Sequence, residues 1–254
     1  MTLDDLLEAE NQKIDERLRD IMAAGALAGL LAVSPAAAKS SAPSYHKNFP
    51  TSLKGLKRAD PEDRKAAFVK TMLPLIDEAN KKIAADRTRL VQLLRQPTIS
   101  ERDRAWIASQ EDRYNADNTK DLLTRMDVVP PSLVLAQAAV ESGWATDSLA
   151  TQNLSFFGQR AWTKRGTARG KYGERYQAFS SPVSSIDAYI NNLNSHSAYT
   201  GFRKARAAAT QAGKTPSGVD LAATLTKYST RGTAYTTQLQ NMIRNNNWLK
   251  LDQR

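Results

Sequence analysis

The side chain of this 254-residue protein best suited to acid–base chemistry is Glu141, which ends an apolar run in LVLAQAAVESGWATDSLATQNLSFFGQRAW. We expect a helix there, with Ser132 as its N-cap. Because residues three and four positions apart share a helix face, the neighbours of Glu141 are Val134, Gln137 and Ala138. Partial burial disfavours the charged carboxylate and raises its pKa. A carboxyl group that keeps its proton near neutral pH can act as a general acid.

The residues that follow Glu141 favour a position at the lip of a cleft. Gly143 can end the helix in the left-handed conformation. Trp144 then offers an aromatic face, which is the usual platform for the apolar side of a sugar ring. Two further aromatic residues, Phe156 and Phe157, precede a glycine. We expect one of them to pack under the turn and the other, assigned to Phe157, to line a sugar subsite.

The overall composition limits the chemistry that is available. The formal net charge is +10, which favours a polyanionic partner such as nucleic acid, anionic lipid or an acidic cell-wall polymer. The chain has no cysteine and only two histidines, His46 and His196, so we expect no metal site and no cofactor. No helix-turn-helix or zinc pattern accompanies the charge, so nucleic acid is not expected as a partner.

The N-terminal part divides into three stretches. Residues 1–20 have the spacing of an amphipathic helix, with seven acidic and three basic side chains, and residues 21–38 carry no charge. This apolar stretch has three possible interpretations: a secretory signal, a membrane-inserted segment, or a helix docked on a partner protein. Residues 39–61 are rich in Pro, Ser, Ala and Lys, which predicts a linker to a domain over 62–254.

The pattern over 62–254 is typical of a mainly α-helical domain. A helical stripe over 62–95 is interrupted at Pro74, where the helix should kink or a second one should start. Alternating side chains over 163–179 predict one small antiparallel β-hairpin with a basic tip. The other predicted helices follow the caps Ser100 and Ser181 and cover 118–126, 201–212, 219–228 and 235–244.

Ordered motifs resemble the glucosaminidase family of peptidoglycan hydrolases, glycoside hydrolase family 73. That family pairs a helix ending in Glu-Ser-Gly-Trp, here residues 141–144, with a downstream Asn-Leu-Phe-Gly turn, here residues 153–159. The resemblance is nearest to its Bax-like bacterial branch, and it runs from about Phe68 to the C-terminus. Three stretches carry it in the same order: RMDVVPPSLVLAQAAVESGW, FSSPVSSIDAYINNLNSHSAY and YSTRGTAYTTQLQNMI.

The resemblance implies a lysozyme-like, α-rich fold and an endo-β-N-acetylglucosaminidase. Such an enzyme hydrolyses the β-1,4 bond between N-acetylglucosamine and N-acetylmuramic acid in peptidoglycan. Glu141 matches the family's proton-donating glutamate. The family also supplies a tyrosine to the cleft, and the spacing does not decide between Tyr228 and Tyr235. Gln159 and Trp162 are placed at the edge of the cleft.

The second catalytic group is less well defined, because the sequence departs from the family pattern in the hairpin. Residues 163–167 contain no acid, and Glu174 is the acidic residue of the hairpin. Glu174 could activate the water molecule, and Asp187 is a further candidate. Alternatively, the 2-acetamido group of the substrate acts as an internal nucleophile, with a tyrosine to orient it.

Two other functions remain open. A lytic transglycosylase would cut the same glycan but form an anhydro product without water, and the Gly-Leu-Met-Gln stretch typical of that class is absent here. A non-catalytic wall-binding or virion structural protein could retain the fold. Because peptidoglycan lies outside the cytoplasmic membrane, we expect the protein in the cell envelope, in the periplasm or on a bacteriophage particle. Residues 1–38 would then dock on a membrane or a protein partner.

Overall fold

The computed structural model describes residues 48–161, 167–169 and 175–253. The segments predicted for residues 1–38 lie outside the described residues, as do the hairpin acid Glu174 and the cleft residue Trp162. Within the described part of the chain, none of the helices is both long enough and apolar enough to cross a membrane.

The described residues form a mainly helical fold with one two-stranded sheet, as the sequence predicts. The α-helices are α1 Pro61–Leu94, α2 Glu101–Tyr114, α3 Thr119–Arg125, α4 Pro131–Ser142, α5 Ser148–Asn153, α6 Pro182–Ser195, α7 Thr200–Gln211, α8 Gly218–Ala222 and α9 Thr233–Asn245. Short 3₁₀ helices cover Thr51–Leu53, Leu56–Arg58, Ser197–Tyr199 and Trp248–Leu251.

Helix α4 lies at the centre of the core, since every residue from Leu133 to Ala139 is fully buried. It packs against α1, α8 and α9. The prediction that Ser132 is its N-cap is wrong, because the helix begins at Pro131 and Pro130 precedes it. Instead, the backbone N–H and hydroxyl of Ser132 both donate to the Asp252 carboxylate, at 3.0 and 2.7 Å. The C-terminal end of the chain therefore satisfies the first turn of α4.

Helix α1 continues through Pro74 without a second helix starting there. Its buried face packs against α4 and α6. Asn80 of this face holds the approach to α4, because its amide nitrogen donates to the Val129 carbonyl at 2.8 Å and its amide oxygen accepts from the Val129 N–H at 3.1 Å. The long helix thus fixes the start of the helix that carries Glu141.

The stretch predicted as a linker, residues 39–61, is packed on the core from Phe49 onward. Phe49, Leu53 and Leu56 are buried. The Arg64 side chain of α1 donates to the Leu56 carbonyl at 2.8 Å and to the Ala59 carbonyl at 3.1 Å. These contacts show that the folded unit begins before the predicted residue 62.

The predicted hairpin is present. Strands β1 Thr167–Arg169 and β2 Arg175–Gln177 pair in antiparallel register, with Ala168 opposite Tyr176. The Gln177 N–H also donates to the Gln159 carbonyl at 2.8 Å. The hairpin is therefore anchored directly to the residue that follows the Phe-Phe-Gly turn.

The local capping predictions are confirmed at two helices. The Ser100 hydroxyl accepts from the Asp103 N–H at the start of α2, and Ser181 forms a reciprocal capping box with Ser184 at the start of α6. Helix α8 is shorter than the predicted 219–228, because it ends at Ala222 and turns follow.

Candidate active site

The Glu141 side chain is half-buried and lies in the last turn of α4. The helix ends as predicted, with Gly143 in the left-handed region at φ 55°. Trp144 and Ala145 continue in that region, at φ 59° and 62°. Such a conformation costs a non-glycine residue about 1–2 kcal/mol. The Ser142 hydroxyl offsets part of this cost by accepting from the Ala145 N–H at 2.9 Å.

A directed chain of hydrogen bonds ends on the Glu141 carboxyl group. The Tyr189 hydroxyl of α6 donates to Gln137 Oε1. Gln137 Nε2 donates to the Tyr235 hydroxyl at 2.9 Å, and that hydroxyl donates to Glu141 Oε1 at 2.6 Å. Each hydroxyl has one proton, so Tyr235 can accept from Gln137 and still donate to Glu141. Three helices thereby fix one oxygen of the carboxyl group.

The other carboxyl oxygen, Oε2, faces the Phe-Phe-Gly turn. A Cβ atom added to Gly158 would lie 3.4 Å from Glu141 Oε2, and Gly158 has φ 60°. A residue without a side chain therefore lets the turn approach the acid closely and adopt a left-handed conformation at low cost. The two sequence motifs, residues 141–144 and 153–159, meet at this oxygen.

Aromatic rings support the chain of hydrogen bonds from the side. Tyr228 and Tyr235 are stacked, with ring centroids 5.7 Å apart and planes 2° apart. The Tyr228 hydroxyl donates to the Phe157 carbonyl at 2.9 Å. Phe157 stacks in turn on Tyr189, with centroids 4.0 Å apart. The turn and the two tyrosines of the C-terminal region are thus joined into one unit around Glu141.

Burial dominates the electrostatics of the site. Burial raises the pKa of Glu141, while the hydrogen bond from Tyr235 and the positive charge of Arg231 act in the opposite direction. Burial also raises the pKa of Tyr235, and the neighbouring Glu141 charge raises it further. Tyr235 therefore remains a proton donor while the Glu141 carboxyl group titrates. The raised pKa of Glu141 agrees with the prediction that it holds its proton more strongly than an exposed glutamate does.

Among the described residues, no other carboxylate is among the groups that shift the Glu141 pKa. Asp187, a candidate for the second acid, lies on α6 two positions before Tyr189, on the opposite face of that helix. It lines a separate cavity with Lys82 and Arg113. Asp187 is therefore not brought to Glu141, and Glu174 lies outside the described residues.

Two of the predicted sugar-binding rings are occupied by protein contacts. The ring of Phe157 is only 1% exposed and lies under the turn, so the prediction that it lines a subsite is wrong. Trp144 is half-buried, and its ring contacts the rings of Phe68 and Trp248 edge to face. The turn after Gly143 therefore directs the Trp144 ring into an aromatic cluster, and the predicted role of this ring as a sugar platform stays a prediction.

Gln159 stands directly after Gly158, with its backbone fixed by β2. Its side-chain oxygen is buried and has no hydrogen-bond partner among the described residues. A buried acceptor without a donor costs about 1–3 kcal/mol. The place of Gln159 at the edge of the cleft stays a prediction, because this oxygen is closed to a ligand in the structure.

Three contributors to the site carry no role in the sequence-based prediction. The sequence indicates Gln137 only as a neighbour of Glu141 on the helix face, and it gives no signal for Tyr189 or Arg231. Gln137 had a usable signal, since a polar residue in an apolar run must find buried partners. The other two depend on packing between helices distant in sequence, which spacing does not reveal.

The amino-acid sequence is similar to a known protein family and to a known bacterial protein. Residues 116–248 match the model of the glucosaminidase family, described as mannosyl-glycoprotein endo-beta-N-acetylglucosaminidase. The chain is 38% identical over 192 residues to protein bax of Escherichia coli strain K12, a match that covers 72% of this chain and 70% of that protein.

Two solved structures are also similar. The catalytic domain of the autolysin Auto from Listeria monocytogenes is 18% identical, with 65% of this chain and 96% of that chain covered and a TM-score of 0.39. A peptidoglycan hydrolase from Sphingomonas sp. A1 is 21% identical, with 59% of this chain and 87% of that chain covered and a TM-score of 0.33.

Proposed function

Because the chain belongs to the glucosaminidase family, we propose that it is a glycoside hydrolase that cleaves peptidoglycan between N-acetylglucosamine and N-acetylmuramic acid. The observation that carries this proposal is the state of Glu141. Its pKa is raised by burial, and one carboxyl oxygen is held by Tyr235 while the other faces the Gly158 turn. This is the arrangement that a glycosidase general acid requires.

In the proposed mechanism, the proton of Glu141 resides on Oε2, because Oε1 already accepts from the Tyr235 hydroxyl. Oε2 donates its proton to the glycosidic oxygen as that bond breaks and positive charge develops at the anomeric carbon. The carboxylate that remains is a stronger acceptor than the neutral acid, so the hydrogen bond from Tyr235 strengthens as the proton leaves. Tyr235 thus favours the transition state more than the ground state.

We propose Glu174 as the base that activates water. The hydroxyls of Tyr228 and Tyr235 are already engaged, with the Phe157 carbonyl and Glu141 respectively. Each has committed its single proton, so either could orient a 2-acetamido nucleophile only by accepting from the acetamide N–H. A water activated by Glu174 would give inversion at the anomeric carbon, and nuclear magnetic resonance of the first product formed distinguishes inversion from retention.

The main experiment compares the wild-type protein with Glu141→Gln on purified murein sacculi, following loss of turbidity. We expect a loss of activity on the order of 10²–10⁴-fold, because the amide cannot donate the proton that a general acid supplies. Glu101→Gln, at an exposed glutamate of α2, is the control. Equal clearing by Glu141→Gln and the wild type would refute the proposed role of Glu141.

Product masses separate the remaining alternatives. A hydrolase adds one water to each cut, whereas a lytic transglycosylase releases an anhydro product that is lighter by one water. A non-catalytic wall-binding protein would sediment with sacculi and release no product. We expect products with reducing ends, whose masses include one added water for each cut.

We also propose that the protein works at the cell envelope or on a bacteriophage particle, with residues 1–38 as a docking segment. The support is the chemistry of the proposed substrate, which lies outside the cytoplasmic membrane, and the apolar residues 21–38. Intact-mass measurement of the protein isolated from its native source tests this proposal. A mature form that lacks residues 1–38 would contradict the docking role.

A further inference from the structure

A groove of about 470 Å³ lies between the N-terminal segment and the turn that follows Glu141. The buried side chains of Phe49 and Leu53 form part of its apolar lining. Lys54 and Lys57 line it from the N-terminal segment, and Thr146 lines it from the turn. The N-terminal wall lies outside residues 116–248, the part of the chain that matches the family model. The groove is therefore built in part by residues that the family match does not include.

The groove adjoins the segments that frame Glu141. Ala145 and Thr146, which line it, belong to the turn directly after Glu141. On the other side, the ring of Phe49 stacks on Phe156 with centroids 6.4 Å apart and planes 10° apart. Phe156 belongs to the turn whose glycine approaches the Glu141 carboxyl group. Both segments that frame Glu141 therefore also contact or line this groove.

The N-terminal wall is held in place by polar contacts as well as by burial. Asn48 donates to the Ser180 carbonyl at 2.7 Å, and the hydroxyls of Ser52 and Thr71 lie 2.8 Å apart. Arg64 binds the carbonyls of this segment, as described above. A preformed groove binds a ligand without the entropic cost of ordering its wall.

The charge of the groove indicates the kind of ligand. Lys54 and Lys57 are exposed, and neither forms an ion pair with another described residue. The acid next to Thr146 in sequence, Asp147, is not among the lining residues, and one of its oxygens caps α5 by accepting from the Leu149 N–H. Two free cations beside apolar surface suit a ligand with carboxylates and small apolar side chains.

We propose that this groove binds the peptide carried by the muramic acid residue of the glycan. The inference rests on the proposed function. The peptide begins on the sugar next to the cleaved bond, so it must leave the site close to Glu141. Its alanine methyl groups match the apolar part of the lining, and its free carboxylates match Lys54 and Lys57. The protein would thus prefer peptide-bearing glycan to bare glycan.

The test uses the full-length chain with the double substitution Lys54→Glu and Lys57→Glu, on soluble glycan strands with peptides and on the same strands after an amidase has removed them. We expect the KM for peptide-bearing strands to rise about fivefold, because two exposed attractions become repulsions. The kcat on these strands and both constants on bare strands should be unchanged. The control is Lys81→Glu with Lys204→Glu, two exposed positions that give the same net charge.

A second measurement separates this inference from the proposed hydrolysis. The Lys54→Glu and Lys57→Glu pair is introduced into the Glu141→Gln protein, and sedimentation with both kinds of strand immobilised on beads measures binding without turnover. Weaker binding only to peptide-bearing strands supports the groove even if hydrolysis fails. Equal losses on both strands, no loss on either, or the same loss with the control pair would overturn the inference.

Discussion

Two ionisable side chains of the described residues, Glu141 and Arg206, lie in polar networks, and the networks differ in whether they are closed to solvent. Arg206 is 1% exposed. Its terminal nitrogens donate to Asn194 Oδ1 at 2.8 Å and to four backbone carbonyls, those of Thr124, Arg125, Asp127 and Val128, at 3.0–3.1 Å. Glu141 is half-buried, and only Oε1 receives a hydrogen bond from a described side chain.

The difference shows what each network can do. Arg206 is surrounded by acceptors, with Asp127 Oδ2 a further 3.8 Å from its Nε. Burial lowers its pKa only to about 10, so it keeps its charge at neutral pH. It ties the loop before α4 to α6 and α7. Its Nε–H has no hydrogen-bond partner among the described residues, but this nitrogen is buried and therefore closed to a substrate. Glu141 is buried enough to hold a proton and open enough to give it away, which catalysis requires and stability does not.

The largest effect on stability is expected from breaking the closed network. Arg206→Met leaves the four buried carbonyls named above without this donor, so the free energy of unfolding should fall by about 3–5 kcal/mol. Urea denaturation measures this change, and Arg244→Met, at an exposed position of α9, is the control. A loss below about 1 kcal/mol would show that the network contributes little to the fold.

In the open network, Tyr235→Phe should mainly affect the chemistry. The hydroxyl that supports the leaving carboxylate is lost, so we expect kcat to fall about ten- to a hundredfold. The hydrogen bond from Tyr235 lowers the pKa of Glu141, so its removal should move the alkaline limb of the rate profile to higher pH. Tyr114→Phe, at a buried tyrosine of α2, is the control. A limb that moves to lower pH would contradict the assignment.

A smaller effect is expected at the open side of the acid. Gly158→Ala requires a left-handed alanine and places a methyl group 3.4 Å from Glu141 Oε2. Stability should fall by about 1–2 kcal/mol, and kcat by about tenfold, because the oxygen that must reach the substrate is screened. Gly213→Ala is a matched control, since Gly213 also has positive φ, at 68°, but no atom lies within 4 Å of its added Cβ. Equal kcat losses in the two variants would remove the argument from proximity.

The smallest effect concerns the loss of stability caused by ionisation of the buried Glu141 carboxyl group. The folded state raises the pKa of Glu141 above its ordinary value of 4.5, so the fold favours the protonated form. This contribution is fully present below pH 4.5 and is lost as the pH rises through the folded-state pKa. Glu141→Gln should therefore melt at a higher temperature than the wild type at neutral pH, with a smaller difference at pH 4. A variant that is less stable at neutral pH would show that the ionised acid is stabilised.

The closed and open networks also differ in how far the sequence predicts them. Glu141 was identified from its place in an apolar run and from its family motif, because both signals are local. Nothing local marks Arg206, which sits on the polar-looking helix α7 and becomes buried only because α6 and the loop before α4 pack against it. A long basic side chain is usually exposed, so the sequence predicts the opposite environment.

Within the site, predictions that rest on local backbone signals are correct, and one that depends on packing between distant segments is wrong. The end of α4 at Gly143 is confirmed, because a left-handed glycine is a property of the local backbone. The subsite role of Phe157 is wrong, because the stacking of that ring on Tyr189 depends on where α6 lies. The choice between Tyr228 and Tyr235 also needed the tertiary structure, which places the hydroxyl of Tyr235 on Glu141 and that of Tyr228 on a backbone carbonyl.

The amino-acid sequence by itself determined the helical composition, two of the three predicted serine caps, the hairpin, the family and the candidate acid, because these follow from short-range spacing and from motif order. The tertiary structure alone decided which oxygen of the acid is held, which tyrosine holds it, and which aromatic rings are closed off. The physical reason is that hydrogen bonds and ring contacts between distant segments depend on the packing of whole helices against one another, and periodicity within one helix does not specify its neighbours.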